Sequence, residues 1–414
     1  MDTLCLCLLL LQLCTLTSSQ VSGLDSPFFL NIYHQLRNSV AETVGKDLIR
    51  TYTGPSGKVQ QEIPINVPFP CNVTGGRSAE VPDSIHRLRP GDIDVVAAMG
   101  DSLTAGSGAF AINFFQTLIE NRGVAGNIGG EATWRKYLTL PNILKEFNPK
   151  LTGYAYGDSY INDPKSGLNV ATIAAISNDM PFMANYLINK MKNDTKVDLK
   201  HHWKLITLFI GNNDICSVMC SLPSPRSIVE MHKKNLIKTL RILRNNLPRT
   251  FVAIQSMPHL EIVNEIEEGR LSLLIYLIKN VYCSCLFGEQ YKDQRPEFYD
   301  MIGRWHKAEE EIAEYPEFHK NDFTVVVLPT ARNLDIPRDA DGFMDLSYLS
   351  ADHFHASQKS HALFGNGLWN NLLEPIGNKT DHFIPLFKKF LCPTADRPFL
   401  VTRENSRLRN KPGG

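Results

Sequence analysis

The sequence predicts an α/β protein built on a parallel sheet with helices on both faces. Three observations lead there. Short apolar runs recur at residues 93–99, 205–210, 250–255 and 323–328. Longer stretches with helical spacing separate them, the pattern that folds as strands buried on both sides. Glycines and small polar residues follow several of the runs directly, where ligands meet such sheets.

Ahead of the sheet, residues 4–16 are apolar apart from the cysteines, Gln12 and Thr15, and small residues follow at 17–19. This predicts a secretory signal peptide over residues 1–20, too short to span a bilayer. Residues 21–90 are expected to form an N-terminal extension packed on the main domain, with a helix at 28–48. The main domain is expected over 91–392 and a polar tail over 393–414.

Within the domain, the strand at 93–99 is expected to lead into a helix at 110–121. A short strand at 124–128 and a helix at 138–147 follow. After a weak strand at 153–156, a helix spans 170–192. The strand at 205–210 precedes a helix at 227–246, and the strand at 250–255 precedes helices at 265–280 and 301–315. Beyond the strand at 323–328, the last helix spans 356–373 and is interrupted at Gly365 and Gly367.

The chain has 414 residues with 43 basic and 43 acidic side chains. That balance disfavours a strongly basic nucleic-acid binder and an acidic disordered chain. Beyond the leader six cysteines remain: Cys71, Cys216, Cys220, Cys283, Cys285 and Cys392. Export favours disulfides over a thiolate zinc site, and six cysteines allow 15 complete pairings. Cys216 and Cys220 could close a small loop, while Cys283 and Cys285 are expected to take different partners. Sequons at Asn72, Asn193 and Asn378 mark candidate glycosylation sites. Localisation is therefore expected to be secreted or luminal.

Four segments could carry chemistry. Ser102 lies in Gly100-Asp101-Ser102-Leu103-Thr104-Ala105-Gly106, directly after the first strand. A serine there can expose its hydroxyl beside free helix N–H groups, although Asp101 or Ser102 could equally be a helix cap. The glycine pair Gly129-Gly130 permits close backbone approach, or is simply a turn. In Gly211-Asn212-Asn213-Asp214 either asparagine could donate to an oxyanion or fold the turn. In Asp352-His353-Phe354-His355 the carboxylate stands three residues from His355, and the pair suits proton transfer. A metal reading through Asp352, His353, His355 and His361 lacks a supporting ligand cluster, and a capped helix with surface histidines is the bland alternative. Met180, Met183 and Tyr186 read as core, His201 and His202 as surface, residues 265–268 as a solvated face, and His259 as a candidate to line the cleft.

These blocks, GDSLTAG, NIGG, GNND and DHFH in this order, resemble those of the SGNH or GDSL-type hydrolases. Within them the chain is similar to the repeat unit of the membrane-associated phospholipase B1 group, from about residue 81 to 392. The resemblance implies a flavodoxin-like three-layer sandwich with a central five-stranded parallel sheet of order 2-1-3-4-5. It implies Ser102 as nucleophile, His355 as base and Asp352 as acid. Ser102, Gly130 and Asn213 would be the oxyanion donors, with Gly129 an alternative to Gly130. It further implies hydrolysis of phospholipids and lysophospholipids at an interface, without metal or organic cofactor. His353 stands where the phospholipase B units usually carry cysteine. An esterase of acetylated glycans and a non-catalytic binding protein are the rival functions.

Overall fold

The computed structural model describes residues 57–265, 273–340 and 342–409, together with Ile32, Gln35 and Ser39. The expected signal peptide and most of the expected helix at 28–48 lie outside the described residues. Ile32, Gln35 and Ser39 are helical.

Four strands form one parallel sheet: β1 (Ile93–Gly100), β2 (Trp203–Phe209), β3 (Thr250–Gln255) and β4 (Phe323–Leu328). Their order is β1-β2-β3-β4. The register runs Ala97 to Ile206, Ile206 to Val252 and Val252 to Val325. Alternate side chains enter two cores. On one face Val95, Ala97, Ile206, Leu208, Val252 and Ile254 pack under α3 (Met180–Asn193) and α4 (Ser227–Asn246). On the other, Val96, Ala98, Leu205, Phe251 and Val326 pack under α2 (Leu140–Phe147) and α8 (Gln358–Leu373). A long α7 (Arg295–Ala313) lies beside α4 and β4.

The sheet corrects the expected five strands in the order 2-1-3-4-5: among the described residues it has four, in the order β1-β2-β3-β4. Of the residues expected as a strand at 124–128, Val124, Ala125 and Ile128 give their N–H groups to carbonyls three residues back, and Gly126 donates to His361 Nδ1 at 3.3 Å. A 3-10 turn at Arg122–Val124 is followed by bonds from Ile128 and Gly129 to the Ala125 carbonyl, at 3.1 and 2.7 Å. The outer edge of β1 is instead covered by irregular backbone. Val96 donates to Thr152 at 2.9 Å, Ala98 donates to Leu168 at 3.1 Å, and Val170 returns a bond to Ala98 at 2.9 Å. These contacts remain isolated bridges because Gly153 (φ +93°) and Gly167 (φ +53°) turn the chain out of the extended region.

Helix boundaries moved for similar reasons. α3 begins at Met180, with Pro181 in its first turn, because residues 168–172 are engaged with the edge of β1 and Ala174 is left-handed at φ +60°. The expected helix at 110–121 is a 3-10 segment, Phe114–Leu118. α8 runs through Gly365 and Gly367 unbroken. A Cβ at Gly365 would lie 2.8 Å from Thr139 Cα, so that glycine is there for close packing. Met180 and Met183 are core and Tyr186 packs at its margin. Among the described residues no helix is long and apolar enough to cross a membrane.

Three disulfides join Cys71 to Cys392, Cys216 to Cys283 and Cys220 to Cys285. Cys216 and Cys220 therefore do not close a loop between themselves, and Cys283 and Cys285 take separate partners. Asn72, Asn193 and Asn378 are all exposed.

Candidate active site

Ser102 follows β1 at the start of α1 (Ser102–Ala105). Asp101 caps this turn by accepting the Leu103 N–H at 3.0 Å. The capping role weighed for this segment thus falls to Asp101, leaving the Ser102 hydroxyl to point elsewhere. It meets His355, with Oγ 3.0 Å from Nε2. On the far side of the ring, Nδ1 lies 2.6 Å from Asp352 Oδ2. Ser102 is 6% exposed, His355 8% and Asp352 fully buried, so the relay reaches the surface at its serine and imidazole and is closed at its carboxylate.

The loop before α8 makes this possible. Asp352 Oδ1 accepts the N–H groups of Phe354 and His355, each at 3.0 Å. His353 is left-handed at φ +53°, which reverses the chain between acid and base. Ser350 donates its N–H to the His355 carbonyl at 2.7 Å and its hydroxyl to the Gly108 carbonyl at 2.7 Å. Burial opposes a charge on His355. The Asp352 carboxylate, its hydrogen bond and the more distant Asp101 outweigh that and hold the imidazole above its ordinary pKa. Burial likewise opposes a charge on Asp352, but His355 and the loop N–H groups bring its pKa below the usual carboxylate range. His353 does not join the relay. Burial pushes its pKa down, and its Nδ1 has no hydrogen-bond partner among the described residues.

The two asparagines after β2 divide their work. Asn212 turns inward and donates to Asp101 Oδ2 at 2.9 Å. Asn213 is only partly buried and donates from Nδ2 to the Ala175 carbonyl at 2.9 Å. An amide carries two hydrogens, so a second donor remains. Gly130 stands differently: its N–H is given to the Ala155 carbonyl at 2.7 Å, and the Gly129 N–H goes to Ala125.

The segment touching Asn213 is one that sequence reasoning passed over as helix. Ala174 is exposed and left-handed, a strained state for a residue with a Cβ. Behind it Ser177 donates its N–H and hydroxyl to Asp214. Burial pushes the Asp214 carboxyl up to about 7 against those bonds. Pro181 inside the supposed helix was the available signal that it starts late.

One aromatic wall was also missed. Tyr282 ends α5 (Leu273–Tyr282) with its ring 5.7 Å from His355, edge to face, and 5.7 Å from Phe354. Nearby apolar side chains stay in solvent, Leu277 at 52% and Val281 at 41% exposure. The disulfides to Cys283 and Cys285 tie the end of α5 to the residues after Asn213. His259 is half-buried against His306, with ring centroids 5.0 Å apart, and His201 is exposed.

Comparison with known proteins adds a family. The profile of the GDSL-like Lipase/Acylhydrolase family matches residues 96–368. Membrane-associated phospholipase B1 of Mus musculus is 39% identical over 334 residues, which are 80% of this chain and 22% of that protein. The Homo sapiens protein of that name is 38% identical over 340 residues, 80% of this chain and 23% of its own length. The chain thus spans about a quarter or less of the curated relatives it matches. A solved structure, the extracellular lipase of Streptomyces rimosus, covers 65% of this chain and 94% of its own at 10% identity and a TM-score of 0.29, a likeness too low to argue from.

Proposed function

The chain belongs to the GDSL-like lipase/acylhydrolase family and is an ester hydrolase of that general type; from that premise we propose that it releases fatty acids from phospholipids and lysophospholipids through a Ser102 acyl-enzyme. The observation that carries the reading is the unbroken relay from Ser102 Oγ through His355 to Asp352, at 3.0 and 2.6 Å.

A serine hydroxyl attacks an ester only as a base takes its proton. His355 Nε2 is within hydrogen-bond reach to do so. Asp352 holds Nδ1–H and supports the imidazolium that forms. As the carbonyl carbon becomes tetrahedral, its oxygen needs donors that are already aligned. We assign these to the Ser102 N–H, the second hydrogen of the Asn213 amide and the Ala174 N–H. Ala174 replaces Gly130 in this reading because the Gly130 N–H is committed to Ala155. His355 then protonates the departing alcohol, and water activated by the same imidazole frees the fatty acid. Each step is complete with these groups.

Two features favour a lipid over an acetyl ester. The site borders an aromatic wall of Tyr282 and Phe354 beside exposed Leu277 and Val281, a surface suited to acyl chains. The relatives are named phospholipases. The three disulfides also favour an oxidising, exported setting.

The test offers diacyl phospholipid, lysophospholipid, a short-chain ester and an acetylated sugar to the wild type and Ser102→Ala. Fatty-acid release lost in Ser102→Ala is expected. Cleavage of the acetylated sugar alone would overturn the lipid assignment, and equal rates in both proteins would overturn the mechanism.

A further inference from the structure

We infer that residues 57–60, which precede the sheet by more than thirty residues, belong to the working site, and that Lys58 is a positioning residue for the Asp352–His355 pair. The inference rests on the hydrolase reading above and deepens it.

The segment is a strap with fixed ends. Lys58 Nζ donates to the Leu349 carbonyl at 2.8 Å, and the Lys359 N–H donates to the Lys58 carbonyl at 3.0 Å. Leu349 and Ala356 form a bridge at the base of the loop that carries Asp352 and His355. Lys58 and Lys359 therefore grip that loop at its stalk and at the start of α8. Val59 is buried with Ala109, Phe110, Val124 and Tyr137, which fastens the strap to the chain just beyond the nucleophile turn. Gln60 completes it. Its N–H donates to Gln358 at 2.7 Å, its Oε1 accepts from Leu138 at 2.8 Å, and its Nε2 donates to Arg135 at 3.0 Å.

Lys58 adds charge to this grip. Its charge is felt by Asp352 and disfavours protonation of His353. Burial brings Lys58 itself down to about 8, so an ammonium kept there in the fold is one the Asp352 carboxylate supports. The other charged groups nearby are Lys279 from α5, towards His353, and Asp101 and His361, towards His355. A cation acting on Asp352 is expected to moderate how strongly the carboxylate raises the imidazole. Removing it makes His355 more basic and frees the stalk of its loop.

The experiment titrates the His355 imidazole by NMR and measures ester turnover in wild type, Lys58→Met, Lys58→Arg and Gln60→Ala. In Lys58→Met the His355 midpoint should rise by roughly 0.3–1 pH unit. Its kcat should fall about tenfold, with KM little changed, through misplacement of the base. Lys58→Arg should recover most of both. Gln60→Ala loosens the strap without removing the charge, so it should lower kcat and leave the midpoint in place. A wild-type midpoint in Lys58→Met, or an Arg variant as impaired as the Met variant, overturns the proposal. Should Lys58→Met not fold, an unchanged kcat in Gln60→Ala overturns it. The titration is read whether or not ester is cleaved, so absence of Ser102-dependent turnover sinks the hydrolase reading separately.

Discussion

In the proposed mechanism His355 must be neutral to take a proton from Ser102, yet Asp352 favours its charged form. The balance lies above the ordinary histidine value. The rate should therefore be lost as pH falls through that raised pKa, so the acid limb of kcat/KM is expected above pH 6.5. Asp352→Asn should cut kcat by about 10³–10⁴-fold through loss of the correct tautomer, measured beside an unchanged melting temperature. Asn213→Ala should lower kcat by about 10²–10³-fold with KM little changed, the cost of one oxyanion donor. Ala174→Gly should stabilise the fold by roughly 1 kcal/mol, because glycine accepts positive φ without a Cβ clash, and it keeps the N–H and hence the activity. Thermal unfolding together with turnover of that variant checks both statements. In the proposed mechanism, Ser102, Asp352, His355 and Asn213 are legible in the sequence because a nucleophile, a base, its carboxylate and an amide donor need particular side chains. A backbone N–H leaves no such trace, so a glycine pair stands out in the sequence while the donor proposed at Ala174 does not.

At the scale of elements, β2 to β4 and α4 were legible almost to the residue, because their apolar periods are long and uninterrupted. The segments around β1 were not. Residues 151–172 combine apolar side chains with glycines at positive φ, and residues 122–128 are largely apolar but close a 3-10 turn and turn bonds, so composition suggests strands where the backbone makes turns and single bridges. α5 illustrates a different limit. Its sequence reads as a plain helix, while its place beside His355 is set by disulfides whose pairing no spacing rule selects. The two bonds to Cys283 and Cys285 lie side by side, and each spans 67 or 65 residues. With one intact, the other closes only a small ring. Removing either pair should cost about 2–3 kcal/mol and removing both about 7 kcal/mol in the chain-entropy estimate. Urea unfolding of the two double variants and the quadruple variant would show it. If Tyr282 needs this tether to face His355, the quadruple variant should also lose kcat under conditions where it is still folded.

For the whole molecule, the chain before β1 and the chain after α8 close on each other. Leu400 donates to the Leu88 carbonyl at 2.8 Å, and Asn405 Nδ2 donates to the His86 carbonyl at 3.0 Å. Leu400 and Val401 are buried, although the sequence there reads as a polar tail; two apolar residues among many polar ones are too short a signal to mark a docked segment. Truncation after residue 397 should cost about 3–6 kcal/mol from the apolar side chains alone. A lower urea midpoint in the truncated protein is the expected result.

Cys71 and Cys392 belong to these same two ends, 321 residues apart. Their sulfurs are brought together only when both halves of the layered body between them have assembled. Oxidation at this pair should then be the final covalent event of maturation, later than the two short-range bridges. A thiol-trapping time course on newly made chains would order the three bonds, and molecules caught with Cys71 still reduced would be those arrested before the native state.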